Sequence, residues 1–381
     1  MFWQRELIRD SISKTFNQTY ELDLPKTGLL GSLLLYIRSN AIESPLLTAR
    51  KWRLIDYISK IEVVGNGSTV IKSFDGPEAL AAAFHDEGGQ ETPSMWRTYS
   101  TTPQRQFILL NFGRFLRDEL YGLDLSRFDQ VTLKITNDAT STQFSTDITL
   151  SILAYWLREG AAAFGGYFRE EVWKSWAPVA AAVEYSDLPT ELMIRRILLE
   201  ARPGVDSADA KNNSSMHRLM NPIKFTLRTG QVLVFEGPLE VLGHASVLEM
   251  GRFAETRGAV VRTVGYGFEC GVGYVIQNLG YGTADADSIT TALANMRKDI
   301  QDSAQEVGNN PANGPLAWVT RGHGYMHTVP LWAARKPDLS DMLDPAADKT
   351  AKLDITCQSG TTVSGTDRAA RNAIILSRLV R

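Results

Sequence analysis

The sequence predicts an all-β protein built as two tandem sandwiches of one kind, and three observations carry that reading. Tyr20-Glu-Leu-Asp-Leu-Pro25, which leads into the apolar run 28–38, returns as Glu184-Tyr-Ser-Asp-Leu-Pro189 ahead of 192–202. Further matches follow in the same order. Gly67 to Phe74-Asp-Gly-Pro77 answers to Gly230 to Phe235-Glu-Gly-Pro238. Asp124-Leu-Ser126 before residues 132–136 answers to Asp338-Leu-Ser340 before 352–356, and residues 148–153 answer to 373–377. Finally, the repeated segments alternate apolar and polar residues with a period of two, which buries one face of a sheet. A repeat kept in order along a whole chain means one unit written twice.

The elements follow in order. Over residues 2–16, Trp3, Leu7, Ile8, Ile12 and Phe16 fall near helical spacing, with Arg5, Arg9 and Lys14 elsewhere. This predicts a short amphipathic helix, in an arm over 1–19 that packs on its own domain or meets a neighbouring subunit or a bilayer surface. Strands follow around Ile108, Leu110 and Phe112, then Val131, Leu133 and Ile135, then Ile148, Leu150 and Ile152. Asn66-Gly67 between two apolar runs marks a hairpin turn that needs positive φ at both residues. Few helices are expected; residues 112–118 suggest a short helix or turn that Asn111 could cap.

In the second half Ile223, Phe225 and Leu227 alternate before a turn at Thr229-Gly230, and 264–274 alternates apolar residues with glycine. The stretch from Phe235 to Asp338 is about twice as long as its counterpart from Phe74 to Asp124, so the second copy carries an insertion on the surface, at about 281–315. Within it, Asp287 as cap and Ile289, Leu293, Met296 and Ile300 as a stripe predict a helix reaching about Glu306. The boundary falls near residue 165, giving a first sandwich over 20–165 and a second over 166–381. Two all-β units of this size fit jelly rolls.

A length of 381 residues allows two domains, and 44% hydrophobic with 22% charged residues is globular composition. A net charge of −3 and a pI near 6.0 argue against a nucleic-acid groove, so no sequence-specific nucleic-acid partner is expected. Two cysteines, Cys270 and Cys357, cannot make a disulfide framework and are expected as reduced, buried thiols, which fits folding in a cytoplasm. No stretch reaches membrane-spanning length, and charges at Arg5, Glu6, Arg9 and Asp10 interrupt any signal-peptide core.

Little in the chain suggests chemistry. His323 and His327 would share a metal on a helix, but Gly322 and Gly324 argue against a helix there, and His85, His217 and His244 are scattered. No nucleophile elbow or Walker loop is present, and the glycines at 265–273 lie in a strand pattern without a following helix. Asp75 and Glu236 could be read as the acid pair of a glycosidase. They occupy equivalent places in the two copies, which favours a duplicated structural turn. Trp173, Trp176, Trp318 and Trp332 fit core and interface packing as well as a sugar site. No catalytic residue, cofactor or metal is assigned.

The order of these motifs resembles the double jelly-roll major capsid proteins of tailless icosahedral viruses, the lineage of adenovirus hexon and the coats of membrane-containing phages. The resemblance rests on Leu24-Pro25 and Leu188-Pro189, on the two Phe-acid-Gly-Pro motifs, on Asn111-Phe-Gly-Arg114 with residues 121–129, and on Leu339 to Asp344. It implies a homotrimer of pseudo-hexagonal outline that tiles a shell with its neighbours and with penton or minor capsid proteins, in a virion assembled in host cytoplasm. It also implies an inward-facing N-terminal arm, with Trp3, Leu7, Ile8 and Ile12 as contacts to a neighbour or to an internal viral membrane. The alternatives are a double jelly-roll glycan-cleaving hydrolase and a β-sandwich carbohydrate-binding protein.

Overall fold

The computed structural model describes residues 1–40, 53–90, 94–97, 103–141, 144–159, 163–204, 216–251, 253–261, 267–269, 272–282, 304–306, 315–334, 340–359, 361 and 369–381. Its first half contains β1 (Phe2–Lys14), β2 (Thr19–Asp23), β3 (Leu29–Asn40), β4 (Ile58–Gly65), β5 (Thr69–Phe74), helix α1 (Gly76–Asp86), β6 (Ser94–Arg97), β7 (Pro103–Asn111), β8 (Leu123–Asp124), β9 (Val131–Asn137) and β10 (Ile148–Arg158). The second half contains β11 (Tyr167–Trp176), β12 (Val183–Asp187), β13 (Ile194–Arg202), α2 (Met216–Leu219), β14 (Ile223–Leu227), β15 (Val232–Gly237), α3 (Leu239–Met250) and β16 (Ala254–Val261). After these come β17 (Gly267–Glu269), β18 (Val272–Gly282), β19 (Ala304–Glu306), β20 (Pro315–Tyr325), β21 (Thr328–Ala333), α4 (Pro345–Asp348), β22 (Ala351–Thr356) and β23 (Arg371–Val380).

Strand order repeats between the halves. The order β2-β9-β4-β5 returns as β12-β22-β14-β15, and β1-β10-β3-β7 returns as β11-β23-β13-β21. Register repeats as well: Tyr20 faces Ile135 in the first half, and Glu184 faces Ile355 in the second. Both β10–β3 and β23–β13 carry a bulge at the same place, after Tyr155 and after Ser377, with Gly31 of β3 and Arg195 of β13 as the extra residues. Extra residues re-aim a strand, and their duplication is part of the repeat. Apolar residues of each sandwich fill its interior, around Leu33, Leu35, Ile61 and Phe112 in the first and around Ile197, Phe225, Leu353 and Leu376 in the second.

The predicted hairpin turn is present, with Asn66 and Gly67 at φ 51° and 74° between β4 and β5. The turn after β14 likewise holds Arg228, Thr229 and Gly230 at positive φ. Residues 112–118 form bends and turns without a helix. Asn111 does not cap them; its amide donates to Glu87 and its carbonyl accepts from Ser32. Of the helix expected up to Glu306, residues 287–303 lie outside the described residues, and Ala304–Glu306 is a strand. The 264–274 pattern is strand where described, in β17 and at the start of β18.

Two expectations about helices are corrected. Residues 2–14 are the edge strand β1, antiparallel to β10 from Phe2–Arg158 to Lys14–Ile148. Register shifts between Leu7 and Arg9 and between Arg9 and Ile12 each break the period of two. The inward-facing residues Trp3, Ile8 and Ile12 are therefore spaced like residues on a helix, although the backbone is extended. Conversely, both Phe-acid-Gly-Pro motifs lead directly from a strand into a helix, α1 or α3. The sequence signal was present: Asp75 and Glu78 form a reciprocal capping box, with Glu78 N donating to Asp75 at 2.9 Å and Asp75 N to Glu78 at 2.7 Å.

β1 is held by close packing of Trp3 over Gly31, where an added Cβ would come within 2.5 Å of the indole. Gly31→Val is therefore expected to displace Trp3 and destabilise the fold by about 1–3 kcal/mol. Denaturant unfolding and faster proteolysis within residues 1–16 would register it; unchanged values would show that Trp3 does not anchor the strand.

Candidate functional site: the joint between the two halves

The halves meet at two parallel strand pairings, β6 with β16 and β11 with the edge of β5. In the second pairing, the joint, Lys72 lies opposite Glu170 and Ser73 opposite Glu171. One eight-stranded sheet thus runs through both halves, in the order β2-β9-β4-β5-β11-β23-β13-β21. Strand addition satisfies the backbone groups of two edges that would otherwise stand open.

Two clusters of buried charge lock this joint. In the first, Lys72 Nζ lies 2.6 Å from Glu170 Oε2, and Arg196 bridges Glu170 Oε1 at 2.7 Å to Asp86. Arg195 reaches Asp86 at 2.7 Å and donates to the Arg114 carbonyl at 2.7 Å. In the second, Arg202 meets Asp75 at 2.8 Å and also contacts Glu200, while Arg371 meets Glu78 at 2.6 Å and Asp75 at 3.2 Å. Helix α1 of the first half is thus gripped at its N-terminal end by Arg202 and Arg371 and at its C-terminal end by Arg195 and Arg196. Bidentate guanidinium geometry suits such fixed, dry pairing.

Protonation follows from the charge count. Burial disfavours ionisation of Glu170, but Lys72 and Arg196 outweigh it and hold the carboxyl at about 2. The second cluster sets Asp75, Glu78 and Glu200 against Arg202 and Arg371. With one carboxylate too many, burial and then Asp75 and Glu200 push Glu78 up to about 8. A cleft of about 340 Å³ opens beside the joint, lined by His85, Arg114, Phe115, Arg195 and Met250 among others.

Asp75 and Glu236 do not form an acid pair of one site. Asp75 is consumed by the cap and by two arginines of the other half; Glu236 is exposed near the end of β15, 3.6 Å from Lys224. His323 lies in β20 and His327 in the turn that follows it, and His323 instead gathers with His217 and His244, its ring 5.3 and 4.8 Å from theirs. Burial, then the neighbouring imidazoles, lowers His217 to about 4 and His323 to about 3. Among the described residues no group of three His, Cys, Asp or Glu is arranged to hold a metal. Cys357 is buried, as expected, and Cys270 lies outside the described residues.

Of the four expected contact residues, Ile8 and Ile12 pack on the core, Trp3 is half-buried, and Leu7 faces solvent. Sequence reading missed the clusters. The available signal was Arg195-Arg196 inside an otherwise apolar strand, where the first half has Gly31-Ser32.

Duplicated strand order, register and bulges define a double jelly roll. Solved structures share it over nearly their whole length. The chain is similar to the major capsid protein of STIV, Sulfolobus turreted icosahedral virus, with a TM-score of 0.57 at 10% identity over 99% of this chain and 96% of that one. It is similar to PBCV-1 VP54 with a TM-score of 0.52 at 9% identity, covering 99% and 94%. For the major capsid protein P2 of bacteriophage PM2 the TM-score is 0.50 at 8% identity, covering 100% and 98%. At these identities the likeness is one of fold. No family model and no curated protein matches the sequence.

Glu170→Gln would leave Lys72 and Arg196 undercompensated in the interior, and is expected to cost about 3–5 kcal/mol in denaturant unfolding. Adding Lys72→Met should return part of that loss; no loss from the single change would show that the pair does not hold the joint. Glu78 gives a pH signature. Its folded pKa lies above the unfolded value, so its contribution is full below about 4.5 and is lost as pH rises through about 8. Glu78→Gln should flatten this decline, measured as Tm between pH 5 and 9.

Proposed function

We propose that this chain is a major capsid protein, a structural subunit whose three copies form a trimer of pseudo-hexagonal outline that tiles an icosahedral shell. The observation that carries the reading is whole-chain agreement, in both directions, with solved capsid proteins of the same doubled fold. A subunit holding two like sandwiches lets three copies present six similar blocks, and closed cyclic assembly is the usual outcome for soluble homo-oligomers. The proposed domain boundary stays near residue 165, because the strand order begins to repeat at β11.

Neighbouring trimers, and penton or minor capsid proteins, are the partners this reading implies, with the virion as its location and host cytoplasm as the place of assembly. A bilayer contact through residues 2–16 is not part of the proposal. β1 is tied into a sheet, and Leu7 alone of the four expected contact residues is exposed. A hydrolase finds little support in the joint, whose carboxylates are committed to arginines and a helix cap.

Light scattering after size-exclusion chromatography, with negative-stain microscopy of the same fraction, tests the proposal. The expected result is a stable trimer with a hexagonal outline. A monodisperse monomer that hydrolyses glycoconjugates would overturn it.

A further inference from the structure

The internal joint has two open counterparts. β15 stands where β5 stands in the first half, and among the described residues it is the unpaired edge of its sheet, β12-β22-β14-β15. β1 stands where β11 stands in the second half, and among the described residues it too is an edge, paired on one side to β10. The equivalence holds residue by residue. Gln4 faces Trp156 and Arg169 faces Arg378, and each strand has its bulge three residues later, after Leu7 and after Val172. Arg5 therefore matches Glu170. The shared Phe-acid-Gly-Pro motif likewise matches Leu233 to Lys72, Val234 to Ser73 and Glu236 to Asp75.

What the internal joint buries, the open edges expose. Tyr167 is 3% exposed and its counterpart Phe2 49%; Lys72 is 0% exposed and Leu233 55%. Leu80 on α1 is 1% exposed, whereas Val241, at the matching place on α3, is 52% exposed. Apolar residues along an unpaired edge and its adjoining helix mark an interaction surface. The matching charges are complementary too. Asp75 grips Arg202 across the internal joint. Arg202 corresponds to Arg38 on β3, as the paired bulges in β3 and β13 establish. Glu236 and Arg38 are thus an acid and a base at the places of Asp75 and Arg202. Among the described residues Glu236 has exposed Lys224 at 3.6 Å, and Arg38 has a 3.4 Å bond to Ser11 and the exposed carboxylate of Asp10 nearby.

We infer that a second copy of this chain covers β15: its β1 adds in parallel, with Arg5 opposite Leu233 and Glu6 opposite Val234, and its Arg38 pairs with Glu236. The occupant is a second copy because the chain already makes this joint once with itself, and both open halves of it are present on every subunit. Repeating the joint head-to-tail produces a heterologous contact, which in the proposed trimer closes into a ring of three copies. The inference rests on the self-assembly proposed above and specifies the surface that carries it.

The test uses the full chain. Glu236→Arg and Arg38→Glu should each raise the concentration at which trimers half-dissociate by about tenfold, and the two together should restore most of that loss. In a second measurement, Arg5→Cys with Leu233→Cys in one chain should give covalent trimers under mild oxidation, which neither single variant nor the wild type does. Trimers indifferent to the charge changes and without cross-links would overturn this joint while leaving self-assembly intact. A wild-type chain that stays monomeric at all concentrations would overturn both.

Discussion

Parallel addition of β11 to the edge of β5 is the contact on which the rest of the molecule depends. It joins one sheet of each sandwich into a continuous eight-stranded sheet, and it buries Lys72, Glu170, Arg196 and Asp86 between the halves. Buried ions are poor sources of net stability, since desolvation offsets most of their attraction. Their effect is directional. A guanidinium bridging Glu170 on β11 and Asp86 on α1 is satisfied in one relative placement of the halves, and a slip of the strands leaves several charges unpaired in the interior. The apolar cores make each sandwich stable; the charged layer between them sets how the two are joined.

The doubled architecture was legible because its cues are local. Alternation along β9, β10 and β14, the Asn66-Gly67 turn, and the Leu24-Pro25 and Leu188-Pro189 anchors depend on residues a few places apart. β1 was misread because its two bulges space Trp3, Ile8 and Ile12 as a helix would. Nothing nearby in sequence announces its partner β10, which lies about 140 residues on. Helix α1 was overlooked for a different reason. Its capping box and alanine run are local signals, but Asp75 directly follows a hairpin, where an Asp-Gly-Pro sequence equally fits a turn.

The joint itself could not be read from either half alone. Arg202 and Asp75, or Arg195 and Asp86, are more than a hundred residues apart, and each is an ordinary charged residue in its own segment. Their meaning appears only when equivalent positions are compared. Where β13 has Arg195-Arg196, β3 has Gly31-Ser32, and Gly31 is covered by Trp3 of the same half. The two halves keep one backbone and differ in what stands at the joint.

That difference has a physical logic. The internal joint forms between segments tethered in one chain, at high effective concentration, so it tolerates the desolvation of a layered ion network. A joint formed by diffusing subunits has no tether. It gains most from apolar area held ready at a strand edge, with a small number of charges to set register and repel wrong partners. β15 and β1 have this composition: Val232, Leu233, Phe2 and Leu7 exposed, with Glu236 as the acid near the end of the strand. With the inferred contact between copies, the asymmetry is what one joint geometry requires when it is made once within a chain and once between chains. The Asp75 and Glu236 motifs, alike in sequence, differ in surroundings because the partner of the first is already in place.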